Sequence, residues 1–269
     1  MELGLTGKTV IVTGGGSNIG RGIVLAFVQE GANVVIADKS LEDAEKVAKK
    51  ANSLGKGQAV AVVTDVTKLD QVEAMVIKTI NDFKKVDVLV NNVGWTDPTL
   101  FLKTTPEFWD REIEINYKSV LCCCKAVLHQ MIEQKSGAIV SISSDAGRVG
   151  QIAEEVYAGC KSAVIMFSTS VAKYVGRFGI RMNVVCPGMT PPSDTDEIAE
   201  GSIWDGPRPT EEQLQEIANA FPLRKINRAS DIANAVMFFA SEIASRNITG
   251  QILSVSGGYD ISLGMPRVK

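Results

Sequence analysis

Lys8-Thr-Val-Ile-Val-Thr-Gly-Gly-Gly-Ser-Asn-Ile-Gly20 decides the fold, because an apolar β-branched run, a glycine cluster and the start of a helix follow one another without a break. The β-branched run reads as a buried strand. Glycine permits a tight turn and lets backbone amides approach a pyrophosphate, and the helix that follows turns its amino terminus toward that anion. Gly14, Ser17, Asn18, Ile19 and Gly20 are therefore candidate phosphate-side residues. By itself a glycine cluster also serves as a plain strand–helix turn; here the strand before it and the helix after it supply the right context. A phosphotransferase loop is disfavoured, because Asn18-Ile-Gly-Arg21 stands where a lysine followed by Ser or Thr would be needed.

The same alternation continues along the chain. Short β-branched runs at Lys8–Thr13, Asn33–Asp38, Ala59–Thr64, Val86–Asn91, Gly137–Ser143, Arg181–Val185 and Gln251–Val255 suit parallel strands buried on both faces. Helical patterns fall between them at Ile19–Glu30, Leu41–Ser53, Leu69–Phe83, Glu107–Glu133, Val156–Arg177 and Ser230–Ser245. The expected fold is a single-domain, Rossmann-type doubly wound α/β sheet of about seven parallel strands spanning 1–269. Residues 189–220 break the rhythm with prolines and acidic side chains and one helix near Glu211–Ala220. A long connection after a strand's carboxyl end is where a substrate lid would sit.

Composition narrows the function classes. A net charge of −3 over 269 residues leaves no footprint for nucleic acid. The start of the chain lacks the basic and apolar regions of a secretion signal, and no apolar run would span a bilayer, so a cytoplasmic protein is expected. Of the five cysteines, Cys122, Cys123 and Cys124 are consecutive, which suits neither a disulfide framework nor a metal site; no metal is expected. The lone histidine, His129, lies beyond any strand end, which disfavours a histidine triad.

Asp38 ends the second strand at the distance expected of an acid that accepts hydrogen bonds from an adenosine ribose. Its charge would repel a 2′-phosphate, so NAD is expected over NADP. Proton chemistry points to Tyr157 and Lys161, four residues apart on one helix face, and to Ser144, thirteen residues before the tyrosine at a strand's carboxyl end. A tyrosine needs a nearby cation to act as a base near neutral pH, and Lys161 could supply it while Ser144 holds a substrate oxygen.

These residues, with Asp65-Val66, Asn91-Asn-Val-Gly94, Asn116 and Pro187-Gly188 in matching order, resemble the short-chain dehydrogenase/reductase family over essentially the whole chain. The resemblance implies a catalytic tetrad of Asn116, Ser144, Tyr157 and Lys161. It further implies adenine contacts from Asp65 and Val66, cofactor contacts at Asn92 and Gly94, and Pro187 and Gly188 along the nicotinamide face. Two departures stand out. Asn18 replaces the usual second turn glycine, and asparagine tolerates positive φ. Pro192 stands where the family often has a threonine, which leaves Thr190 as the candidate for the carboxamide.

Ser144-Asp-Ala-Gly-Arg148, Glu155-Val-Tyr-Ala-Gly-Cys-Lys161 and Val184-Val-Cys-Pro-Gly188 are similar to a subgroup, the dehydrogenases of cyclic β-hydroxyacyl-CoA thioesters in anaerobic aromatic degradation, the 2-hydroxycyclohexanecarboxyl-CoA type among them. Within that resemblance Trp95 suits an apolar substrate ring. Arg148, or the Arg224, Lys225 and Arg228 cluster, would hold anionic groups; a surface or intersubunit salt bridge is the alternative for Arg148. Other readings of the same fold are a dehydrogenase of a free alicyclic or sugar alcohol, a 3-oxoacyl thioester reductase, and a non-catalytic partner subunit, the last disfavoured by the intact tetrad. Family members usually assemble through the two long helices, so a homotetramer or dimer is expected, possibly with a related chain.

Overall fold

Seven strands form one parallel sheet: β1 (Thr9–Thr13), β2 (Asn33–Asp38), β3 (Gln58–Val63), β4 (Val88–Asn91), β5 (Gly137–Ile142), β6 (Ile180–Pro187) and β7 (Ile252–Val255). Their order is β3-β2-β1-β4-β5-β6-β7. The computed structural model describes residues 2–261 apart from 203 and 207, so residues 1, 203, 207 and 262–269 of the expected domain and lid lie outside the described residues. Strand order reverses between β1 and β4, and at such a point the connections leave in opposite directions and open a crevice at the strands' carboxyl ends.

Both faces of the sheet are covered, as the unbroken apolar runs require. Successive side chains of a strand point to opposite faces, so Val10 and Val12 of β1 enter one core while Ile11 enters the other. The first core is closed by α1 (Asn18–Gln29), through Ile23, Val24 and Phe27, and by α2 (Leu41–Asn52). Ser40 caps α2 by accepting from the Asp43 amide, 3.3 Å away, with Glu42 and Asp43 in the first turn and Lys49 and Lys50 in the last. The opposite core receives α3 (Leu69–Phe83), through Val72, Met75 and Val76.

The expected helix Glu107–Glu133 is observed in pieces: α4 (Pro106–Ile113), a π-helical turn at Glu114–Lys118, and α5 (Ser119–Gln134). The cause is local. Within the turn the Ser119 amide reaches back five residues to the Glu114 carbonyl, and the Asn116 side chain donates to the Glu112 carbonyl at 3.0 Å. After the short α6 (Ala146–Val149) comes α7 (Glu155–Val175), the longest helix. The long connection after β6 carries a short 3₁₀ turn at Thr195–Glu197 and α8 (Glu211–Asn219), whose amino end is closed by a reciprocal Thr210–Gln213 capping box. The pattern read as Ser230–Ser245 divides into α9 (Ala229–Ala240), which completes the first core, and α10 (Glu242–Ser245). Ser241 breaks it: its backbone is extended, its hydroxyl oxygen accepts from the Ala244 amide, and the same hydroxyl donates to Leu3.

Candidate active site

The glycine turn between β1 and α1 is built by backbone crowding. A Cβ on Gly20 would lie 2.0 Å from the Gly14 carbonyl oxygen, so only glycine lets the helix start this close to the strand. Asn18 takes φ of +35°, the conformation for which asparagine is the tolerated substitute. Its side-chain amide donates to the Thr190 carbonyl at 3.0 Å, which ties the turn to the segment after β6. From the other side Asn92 donates to the Thr13 and Gly14 carbonyls at 3.0 and 3.1 Å, and its own amide donates to the Thr13 hydroxyl at 2.9 Å. Ser17, at the start of α1, makes no side-chain cap, which leaves the first amides of that helix to an outside anion.

Asp38, at the end of β2, lies beside the glycine turn. One carboxylate oxygen accepts from the Gly16 amide at 2.9 Å and the other from Ser40 at 3.1 Å. Asp65 accepts from both the amide and the hydroxyl of Thr67, at 3.0 and 2.7 Å. Burial works to raise its pKa, and those hydrogen bonds outweigh it, so the carboxyl stays below its ordinary range. Val66 beside it is buried. At the end of β6, Pro187 is followed by Gly188, where a Cβ would meet that of Ser256 at 2.8 Å. The Thr190 hydroxyl donates to the Gly188 carbonyl at 2.9 Å, so its proton is engaged within the loop. A cradle closed to side chains, uncapped helix amides and a carboxylate at the end of β2 together fit a nicotinamide dinucleotide.

The four residues of the expected tetrad converge at the carboxyl ends of β4 and β5. Asn116, wholly buried in the π turn, pairs with the Trp95 peptide: it accepts from the Trp95 amide at 3.0 Å and donates to its carbonyl at 2.7 Å. A Cβ on Gly94 would sit 3.0 Å from the Lys161 Nζ and 3.3 Å from the Asn116 Oδ1, so this glycine allows the strand end to rest on both. Lys161 is 2% exposed and donates to the Ile142 carbonyl at 3.2 Å. Its Nζ stands 5.5 Å from the centre of the Tyr157 ring. Burial lowers its pKa to about 8. Burial also raises the Tyr157 phenol above its ordinary range, opposed by the Ser144 hydroxyl and reinforced by the charges of Glu154 and Glu112. Among the protein's own groups, then, desolvation outweighs the help expected from Lys161, and the phenol is the resident form.

On the substrate side the picture is mixed. The Trp95 indole is covered by the Arg111 guanidinium, 3.8 Å from the ring centre, and packs against Phe108 at 5.8 Å. Phe101, Phe108, Glu112, Glu154 and Tyr157 share one cleft. Arg148 is held within the chain by Asp260 and Ser254, with Asp145 3.9 Å away, so its guanidinium is not free to meet a ligand anion unaided. Arg148 and Lys225 nevertheless line the same cavity of about 590 Å³, together with Asp231 and Asp260. The five cysteines are buried free thiols, and burial pushes those of Cys124 and Cys186 up to about 12. Two residues near the tyrosine escaped the sequence reading, Glu112 and Glu154. The available signal was spacing, since Glu112 lies four residues before Asn116 on the same helical face.

Residues 8–201 match the family model described as short chain dehydrogenase. The chain is 34% identical over 257 residues to a 3-oxoacyl-(acyl-carrier-protein) reductase of Thermotoga maritima, covering 96% of this chain and 99% of that one. It is 36% identical over 254 residues to the reductase of the same name from Chlamydia trachomatis, covering 94% and 98%. In three dimensions it is similar to the crystal structure of levodione reductase, with a TM-score of 0.86, 27% identity and coverage of 96% and 99%.

Proposed function

The chain belongs to the short-chain dehydrogenase family, an oxidoreductase family that uses a nicotinamide cofactor, and from that premise we propose that it interconverts a secondary alcohol and a ketone with NAD. The convergence of Tyr157, Ser144 and Lys161 at the carboxyl end of β5 carries this reading. NAD, when bound, supplies the acceptor for the hydride. Ser144 holds the substrate oxygen, and Tyr157 exchanges the hydroxyl proton. Lys161, held by the Ile142 carbonyl with its Nζ 5.5 Å from the centre of the Tyr157 ring, would also hold the nicotinamide ribose; Asn116 pairs with the Trp95 peptide at the strand end. Lys161, together with the positive nicotinamide of a bound cofactor, would favour the phenolate. Asp38 favours NAD, because a 2′-phosphate would meet a carboxylate already fixed by Gly16 and Ser40.

The proposed substrate is a β-hydroxyacyl-CoA thioester with a cyclic or aromatic body. The thioester is supported by the two reductases of carrier-protein thioesters, and the ring by the local strings around Ser144 and Lys161. Reduction of a 3-oxoacyl carrier thioester is the second reading, favoured by the 34–36% identity to those reductases. Turnover of a panel of cyclic and linear hydroxyacyl-CoA thioesters, the corresponding oxoacyl carrier thioesters and the free acids, each with NAD(H) and NADP(H), separates the two. A cyclic CoA ester should exceed its free acid at least a hundredfold in kcat/KM, since remote binding energy orients the reacting end. Equal values would remove the thioester from the proposal, and preference for the carrier substrate would select the second reading.

A further inference from the structure

Ser144 is oriented by the turn that follows it. Its hydroxyl accepts from the Ala146 amide at 3.1 Å and its carbonyl from the Gly147 amide at 3.0 Å, so the side chain points where α6 directs it. A helix of four residues is too short to hold itself in water, and α6 has to be fixed from outside. One anchor is α7: a Cβ on Gly147 would lie 2.8 Å from the Lys161 backbone, and the Ser162 hydroxyl donates to the Gly147 carbonyl. The other anchor is a chain of polar side chains that leaves both helices. Asp145 and Arg148, three residues apart, are neighbours on one side of α6. The Arg148 guanidinium donates to the Ser254 hydroxyl, which donates in turn to the Asp145 carboxylate. The same guanidinium pairs with Asp260, whose other oxygen accepts from the Ser256 hydroxyl at 3.3 Å. Ser254 lies in β7 beside Cys186 of β6, and Asp260 in the turn after β7. That turn is held in its own right by Tyr259, which donates to Gln151 and meets Phe221 edge-on at 5.6 Å.

We propose that Arg148 and Asp260 are positioning residues, which through Ser254 and Asp145 fix the turn of α6 and with it the direction of the Ser144 hydroxyl. The proposal rests on the reading of Ser144 as the group that holds the substrate oxygen. Neither side chain meets the reacting atoms; each acts through Ser144. Asp145 is 1% exposed and the Asp260 side chain 13%, so both carboxylate ends of the chain are shielded from water. In such a place a charge-assisted hydrogen bond is short, strong and weakly screened, which suits it to hold a geometry. The chain also explains why Arg148 stands four residues after Ser144 with its charge already engaged. A hydrogen bond to the reacting oxygen is sensitive to small displacements, so loosening α6 lowers the rate of the chemical step more than it lowers the binding of cofactor.

Two measurements on Asp260→Ala test this, and Arg148→Met carries both should Asp260→Ala not fold. In steady-state alcohol oxidation each variant should lose about tenfold or more in kcat, with the NAD dissociation constant, read by fluorescence quenching, kept within about twofold. Asp260→Glu, which keeps a carboxylate for Arg148, should recover most of the loss. Introduced into Ser144→Ala, Asp260→Ala should change kcat by less than about twofold, because the hydroxyl it positions is gone. A purely structural role would cost the same factor with or without Ser144, so equal losses in the two backgrounds, or an unchanged kcat in the first, overturn the proposal. The second measurement needs no turnover. The Ser144 hydroxyl hydrogen-bonds the Tyr157 phenol, so the phenol reports where that hydroxyl points. In protein carrying carbon-13 at tyrosine Cζ, the Tyr157 resonance is identified by its loss in Tyr157→Phe. Asp260→Ala should move it in the same direction as Ser144→Ala, and should not move it further in the Ser144→Ala background. A resonance that Asp260→Ala leaves in place overturns the proposal whether or not any alcohol reduces NAD. Absence of turnover with the resonance displaced counts against the proposed reaction and upholds the positioning of Ser144.

Discussion

Tyr157 is the side chain on which the proposed chemistry turns, and its replacement by phenylalanine keeps the ring while removing the proton carrier. Turnover of Tyr157→Phe should fall on the order of a hundredfold or more with NAD affinity kept, measured by steady-state kinetics and by quenching of protein fluorescence. Near-normal turnover would remove Tyr157 from the mechanism. Asp38→Asn keeps an acceptor for the Gly16 amide and removes the charge. The NADP-to-NAD ratio of kcat/KM should rise tenfold or more, since one lost repulsion corresponds to about 1.4 kcal/mol. A wild type that already favours NADP would overturn the role given to Asp38. Lys161 ties stability to function. Its pKa is pushed down by burial to about 8, so between that value and its ordinary one the unfolded chain binds more protons than the fold. The cost of burying the ammonium is thus present below pH 8 and is relieved as pH rises beyond it. Lys161→Met should abolish turnover yet stabilise the fold at pH 7 by on the order of 2 kcal/mol, net of the lost Ile142 hydrogen bond, with the gain shrinking between pH 8 and 10 in calorimetry. A destabilised variant at pH 7 would show that the Ile142 bond outweighs desolvation.

At the scale of elements, the segment 189–220, proposed as a lid, is anchored at its stem and acidic beyond it. Asn18 holds the Thr190 carbonyl, Arg21 of α1 pairs with Glu197, and the Asn227 amide donates to the Met189 carbonyl at 3.3 Å. Beyond that stem, α8 buries only Ala218. Local opening follows burial, so hydrogen exchange should find 198–220 among the least protected segments, with cofactor and substrate together raising its protection more than that of 189–197. Equal, strong protection with and without ligands would mean a fixed surface structure in place of a lid. The π turn shows how one residue reshapes an element. Residues 107–133 read as a single helix because their apolar spacing is continuous. Asn116 diverts the Glu112 carbonyl and pairs with a peptide 21 residues earlier, a competition that helical spacing cannot express.

For the whole molecule, α7 leaves large apolar side chains in solvent: Met166 is 62% exposed and Tyr174 54%. Faces of this kind are costly for a monomer, and the proposal of a homodimer or homotetramer through the long helices α5 and α7 accounts for them. Light scattering should report a dimer or tetramer for the wild type, and Met166→Glu should shift it toward smaller species. A monomeric wild type would leave the exposed face without this explanation. The buried thiols of α5, by contrast, lie in the core against the sheet, where desolvation keeps them protonated.

Backbone periodicity and short-range spacing belong to the sequence by itself. They determined the strand–turn–helix at residues 8–20, the seven parallel strands in their chain order, the Tyr157–Lys161 pair one helical turn apart, and the acid at the end of β2. Each depends on residues within a few positions of one another, where sterics and helix geometry act alone. The tertiary structure decided what each polar group meets. It bound Arg148 to Asp260, turned the Thr190 hydroxyl onto Gly188, laid Arg111 over Trp95, and set Glu112 and Glu154 in the cleft of Tyr157. Those partners lie on separate elements or in irregular loops, and desolvation is a property of the assembled volume. For that reason the balance at Tyr157, where burial outweighs the neighbouring lysine, exists only once β4, β5, α4 and α7 are packed together.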